Sequence, residues 1–133
     1  MRFSTKSEYG LRALVNLAKN QGKEPYSLAK IAKDEKISLA YLERLFAKLK
    51  KAKIVVSVKG VKGGYKLARP LAKISVKDIL TALEGSLAPY TCVGLESLCN
   101  KKSCECQTKI VWQKLDQGIT RTLSLIKLSD LIK

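Results

Sequence analysis

No histidine occurs anywhere in the 133 residues, which removes Ser-His-Asp triads, Cys-His pairs and histidine-ligated zinc together. Most hydrolytic chemistry goes with them. Acidic residues are also scarce, 11 against 26 lysines and arginines, leaving a formal charge of +15. A field that strong on so small a body implies a polyanionic partner, nucleic acid ahead of a membrane surface. No apolar run approaches the roughly 18 residues of a membrane span, and the start Met1-Arg2-Phe3-Ser4-Thr5-Lys6 lacks the apolar run of a secretory signal. The expected location is the cytoplasm, with no membrane partner. Internal repeats, low-complexity tracts and linkers long enough to separate independent domains are missing too.

What is there is enough apolar material, 46%, for one packed core and an appendage. The charge is unevenly spread: residues 1–67 carry 16 basic and 5 acidic groups, residues 68–133 only 10 and 6. The polyanion is therefore expected to meet the first half. There, Thr5 and Glu8 form a capping-box pair ahead of a helix to about Asn20, with Tyr9, Ala13, Leu14, Leu17 and Ala18 at helical spacing. Ser27 caps a short helix burying Leu28, Ile31 and Ala32, and Ile37 plugs the turn after it. Ser38 caps a further helix with Leu42, Leu45, Phe46 and Leu49 inward and Ala40, Tyr41, Glu43, Arg44, Ala47 and Lys48 on the outer sides. Two helices joined by so short a turn are a helix-turn-helix.

The β-branched run Ile54–Val58, the glycine-rich turn at Lys59-Gly60-Val61-Lys62-Gly63-Gly64 and the alternating Tyr65–Leu67 read as a hairpin, a wing spanning about 54–67. Ser75 and Asp78 open another helix that stops at Glu84-Gly85, and a longer one runs from about Gln107 to Leu125. The predicted fold is mainly α with a small β-hairpin. It comprises a winged helix-turn-helix domain over 1–83, a cysteine-rich loop over 84–106, and a dimerisation helix with a short final segment over 107–133. Val111, Trp112, Leu115 and Ile119 make the stripe expected to face a second copy, although periodicity alone allows packing on the chain's own domain as well.

An exposed helix fits the major groove, and the residues of its N-terminal turns reach base edges. Here the candidates are Ser38, Ala40, Tyr41, Glu43, Arg44 and, further along, Lys48. Arg44 suits guanine or a phosphate, Tyr41 a phosphate or thymine methyl, and Glu43 cytosine N4. Lys59, Gly60 and Lys62 at the wing tip suit the backbone or minor groove of double-stranded DNA.

Four cysteines, Cys92, Cys99, Cys104 and Cys106, fall within fifteen residues. A reducing compartment makes metal ligation or thiol redox chemistry the better reading than structural disulfides. The spacing lacks the paired knuckles of structural zinc, and a soft thiolate set suits iron–sulfur at least as well. Zinc and a thiol switch stay open on cysteine chemistry alone, and an electron-transfer protein docking an acidic partner is the reading from another class.

Ile37–Phe46, the wing Ser57–Tyr65 and the loop cysteines together resemble the IscR, NsrR and CymR group of bacterial winged-helix regulators, over nearly the whole chain. The resemblance implies a homodimer whose long C-terminal helices cross, each subunit reading half of a palindromic promoter. It also implies an iron–sulfur cluster, 2Fe–2S ahead of 4Fe–4S, held by Cys92, Cys99 and Cys106 and reporting iron, redox or nitric oxide status. The DNA contacts it implies are Ala40, Tyr41 and Glu43 on the helix and Lys59 and Gly60 in the wing. Two positions depart from the pattern: Lys109 stands where cluster-assembly regulators place a ligating histidine, and Ala40 where serine is frequent. That leaves Cys104, or Glu8 from the other subunit as in nitric oxide sensors, as the expected fourth ligand.

Overall fold

The computed structural model describes residues 3–22, 24–89 and 107–132. Helix α1 (Thr5–Asn20), α2 (Leu28–Glu35) and α3 (Leu39–Lys51) come first, followed by the hairpin β1 (Val55–Val58) and β2 (Gly64–Leu67). A 3-10 turn (Leu71–Lys73), α4 (Val76–Glu84), α5 (Lys109–Leu125) and a last 3-10 turn (Leu128–Leu131) complete the order. This is the mainly α, winged helix-turn-helix architecture that the sequence predicts. None of the described helices is long and apolar enough to cross a membrane.

Serine caps set the helix starts where expected. The hydroxyls of Ser27, Ser38 and Ser75 accept from the backbone N–H of Ala29, Tyr41 and Asp78, each at 3.1 Å, relieving donors that the first turn leaves unpaired. Lys36 ends α2 in the left-handed region (φ 57°), Ile37 is buried beneath the turn, and α3 starts at once. Leu42, Leu45, Phe46 and Leu49 of α3 meet Ala13, Leu14 and Leu17 of α1 and Ile31 of α2, with Ile54, Ile74, Ile79 and Leu83 closing the core. Each such side chain is worth about 1.5–3 kcal/mol of apolar burial, so the register of α3 is tightly held.

The expected capping box of α1 is not formed. Ser4 is the cap, its hydroxyl accepting from Lys6 N–H at 3.2 Å, and Thr5 already lies in the first turn. The reason is a long-range one: the Glu84 carboxylate at the end of α4 accepts from the Ser4 N–H at 2.8 Å, from its hydroxyl at 2.9 Å and from the Ser7 hydroxyl at 2.6 Å. A carboxylate beside the positive end of α1 takes the role that Glu8 was expected to fill.

The hairpin pairs Val55 with Leu67 and Val58 with Gly64, antiparallel, and a third segment joins it. Tyr26 N–H donates to Tyr65 C=O at 3.0 Å and Tyr65 N–H to Tyr26 C=O at 2.8 Å, tying the wing base to the entrance of α2. Gly64 sits at φ 155°, where a Cβ would collide with the Tyr26 carbonyl, so no other residue permits that approach. At the far end, Val76 N–H donates to Ile126 C=O and Leu128 N–H to Ile74 C=O, both at 2.8 Å. Leu128 is thereby fully buried in the core shared by α1 to α4, so the segment after α5 packs with the helix-turn-helix region of the chain.

Candidate nucleic-acid interface

The first turns of α3 present Ser38, Ala40, Glu43 and Arg44 to solvent, and the wing tip presents Lys59, Gly60, Val61 and Lys62. Gly60 takes φ 113° with open space around it, a left-handed backbone that favours glycine and lets the turn reverse there. Lys62 lies 3.8 Å from Glu24, an ion pair so exposed that it is worth about 0–1 kcal/mol and yields readily to a phosphate. Helix and wing are fastened together by Tyr65 of β2, whose ring meets Phe46 of α3 edge-on at 5.0 Å. Burial first, and the Glu43 carboxylate second, push the Tyr65 phenol above its ordinary range.

Two of the expected contacts stand differently from the rest. Tyr41 is half-buried: its hydroxyl is 3.2 Å from the Thr5 hydroxyl, its ring meets Tyr9 edge-on at 6.0 Å, and the Arg44 guanidinium lies 5.5 Å from its ring centre. Lys48 points its ammonium at the Leu83 carbonyl, 3.4 Å away, where it offsets the negative end of α4. Thr5, Tyr9 and Tyr26 touch this region without any local signal in the sequence, because each belongs to an element that reaches the interface only through tertiary packing. Helical periodicity puts Tyr9 on the inner side of α1 and stops there.

On α5 the expected stripe divides. Val111 and Leu115 are exposed, at 54% and 42%, whereas Trp112 and Ile119 are half-buried, on a helix that packs against α4. Leu115 and Ile119 line an apolar groove of about 390 Å³ together with Phe3, Gly118 and Leu123. Glu8 is exposed on α1 and lines a second groove, about 480 Å³, with Leu11, Arg12, Val15 and Glu35. Cys92, Cys99, Cys104 and Cys106 lie outside the described residues. Lys109, the first residue of α5, is buried.

The comparisons agree with this geometry. A family model described as Rrf2, iron-dependent transcriptional regulator, matches residues 3–133. The chain is 41% identical over 136 residues to the HTH-type transcriptional regulator IscR of Cereibacter sphaeroides, covering 100% of this chain and 88% of that one. Among solved structures, IscR of T. potens superposes with a TM-score of 0.76 at 40% identity, over 99% of this chain and 86% of that one. CymR, the global cysteine regulator of B. subtilis, does so with 0.78 at 32% identity, over 99% and 96%.

Proposed function

The chain belongs to the Rrf2 family of transcriptional regulators, and from that premise we propose that it is a homodimer whose DNA affinity is set by a cysteine-held iron–sulfur cluster. The observation that carries the DNA half of this reading is the exposed start of α3 standing beside a basic wing. Ala40, Glu43 and Arg44 meet the base edges of a major groove, while Lys59, Gly60 and Lys62 follow the backbone or adjacent minor groove. Ser38 and Tyr41 support the same helix end, and Lys48 serves α4 in the free protein.

The cluster half rests on the donor set. All four cysteines lie between the end of α4 and the start of α5, and a soft thiolate set fits an iron–sulfur group better than a hard cation. Cys92, Cys99 and Cys106 are the ligands of this reading, with 2Fe–2S the favoured form and Cys104 or the partner subunit's Glu8 as the fourth. Lys109 is excluded as a donor while protonated. When bound, the group supplies a one-electron or small-molecule-sensitive centre, and the residues of this chain convert its presence into placement of α1 and α5.

Dimerisation supplies the second half-site. Val111, Leu115, Gly118, Thr122 and Leu125 recur at alternating steps of four and three on the solvent side of α5, the spacing of a helix-to-helix seam. Seventeen residues span about 26 Å, enough to cross a partner and hold two recognition helices roughly 34 Å apart.

The test is anaerobic purification, with visible absorption, iron and sulfide analysis and sedimentation on one sample, then DNA binding with and without the cluster. Stoichiometric iron and sulfide in a dimer whose operator affinity changes on cluster loss is the expected result. An iron-free protein that binds DNA in response to thiol oxidation would replace it with a thiol-switch regulator, and bound zinc with a metal-stabilised one.

A further inference from the structure

The reading end of α3 is not held by α3 alone. Four side chains from two helices stand in a row: Arg12 lies 5.7 Å from the ring centre of Tyr9, Tyr9 meets Tyr41 edge-on at 6.0 Å, and Arg44 lies 5.5 Å from the ring centre of Tyr41. The row is pinned at both ends of α1's exposed side. Arg12 donates to the Glu35 carboxylate at 3.3 Å and to the Glu35 carbonyl at 3.1 Å, and the Tyr41 hydroxyl shares a hydrogen bond with the Thr5 hydroxyl at 3.2 Å. Thr5 itself cannot drift, because Ser4 beside it is held by Glu84. Of the side-chain hydrogen bonds among the described residues, Thr5 to Tyr41 joins α1 to the recognition helix directly.

An exposed arginine samples many rotamers, and a guanidinium that must reach two acceptors on one guanine loses that freedom on binding. A ring at cation–π distance removes some of the loss beforehand, provided the ring itself is fixed. We propose that Thr5 and Tyr9 are positioning residues for base readout. Through Tyr41 they fix the orientation in which Arg44 is offered to the major groove, so the first two turns of α1 set sequence preference without touching DNA. This rests on the reading that the start of α3 enters the major groove.

The experiment uses the full-length dimer and two duplexes: one selected by the wild type from a randomised pool, and a scramble of it with the same composition. Thr5→Val, Tyr41→Phe and Tyr9→Leu are each expected to lower the ratio of selected to scrambled affinity about two- to fivefold, with the salt slope unchanged. Tyr9→Phe keeps the ring and should keep the ratio. In an Arg44→Ala background, Tyr9→Leu should cost nothing further. Equal losses on both duplexes, or a full additional loss in the Arg44→Ala background, would overturn the coupling. If Arg44→Ala lowers the ratio while Thr5→Val and Tyr41→Phe leave it intact, the coupling alone falls. If Arg44→Ala itself leaves the ratio unchanged, the docking falls and the proposal with it. Should Tyr9→Leu fail to fold, the two hydroxyl variants, which remove one atom or swap one group, decide the matter.

Discussion

The winged-helix region and α5 treat their apolar residues in opposite ways. From α1 to α4, the large side chains at helical spacing are sealed: Leu14, Leu17, Ile31, Leu42, Phe46, Leu49, Ile79 and Leu83 have essentially no exposed surface. On α5 no apolar side chain is buried, and Val111, Leu115 and Leu125 stand open, Leu125 at 71%. One region is complete within a single chain. The other is a helix that leans on α4, with Trp112 and Ile119 half-buried, while Val111, Leu115 and Leu125 lack a cover among the described residues. If α5 is the dimer seam proposed above, foldability and assembly lie in separate segments, and each should break without the other.

The largest expected effect lies in the sealed region. Phe46→Ala should cost about 3–5 kcal/mol of unfolding free energy, because it opens a cavity at the meeting point of the core and Tyr65. Chemical denaturation should show that loss at every protein concentration. Leu115→Glu should do the reverse. It should leave the monomer's helical signal intact and raise the dimer dissociation constant about tenfold or more, since each lost leucine contact is worth at least about 1.5 kcal/mol. Sedimentation across a dilution series reads this. A wild type that is monomeric at micromolar concentration, or a Leu115→Glu protein that loses its fold, would erase the distinction between the two regions.

Where a helix starts on its own serine, the sequence is legible: Ser27, Ser38 and Ser75 mark their helices without help from afar. Where a distant residue completes the cap, it is not. Thr5 and Glu8 match the local pattern of a capping box, yet Glu84, eighty positions away, makes Ser4 the cap and frees Thr5 for Tyr41. The same limit applies to the interface. Periodicity sets Leu42, Leu45, Phe46 and Leu49 inward, and therefore Glu43 and Arg44 outward. The same periodicity sets Tyr41 outward, yet it is half-buried, because α1 lies close enough for its ring to turn toward Tyr9. On α5 the apolar stripe is visible in the residues, but that Trp112 and Ile119 end half-buried while Val111 and Leu115 stay open is settled by tertiary packing, which periodicity does not carry.

A third, smaller effect separates the two kinds of DNA contact. Lys59→Ala and Lys62→Ala each remove a flexible charge from the wing tip of both subunits, so each should flatten the log–log salt dependence by about two units per dimer and weaken all sequences alike. Lys62→Ala should be the milder of the two, because its ammonium already shares the neighbourhood of Glu24 in the free protein. Glu43→Gln should instead shift base preference, since a carboxylate accepts from cytosine but repels phosphate while an amide does neither in the same way. Anisotropy titrations at several salt concentrations distinguish these outcomes. Equal loss on specific and random DNA for Glu43→Gln would count against its place in the groove.

The smallest effect concerns the seam between α4 and α1. Burial raises the pKa of the Glu84 carboxyl, but the hydrogen bonds from the Ser7 hydroxyl, the Ser4 N–H and the Ser4 hydroxyl, with the nearby Lys6 charge, outweigh it and hold the group below its ordinary value. A carboxyl whose folded pKa is depressed stabilises the fold above its unfolded pKa, about 4.3, and loses that contribution as the pH falls through the folded pKa. Glu84→Gln keeps an acceptor but gives up the charge facing the positive end of α1. It should therefore cost about 1 kcal/mol at neutral pH, the low side of a charge-assisted hydrogen bond because the site is partly open to water. The difference between wild type and variant should shrink as the pH is taken from 6 toward 3. Thermal melts over that range read the shrinkage directly. A difference that stays constant with pH would mean that Glu84 holds α1 by shape alone, and that the charge contributes nothing to keeping Ser4 and Thr5 in place.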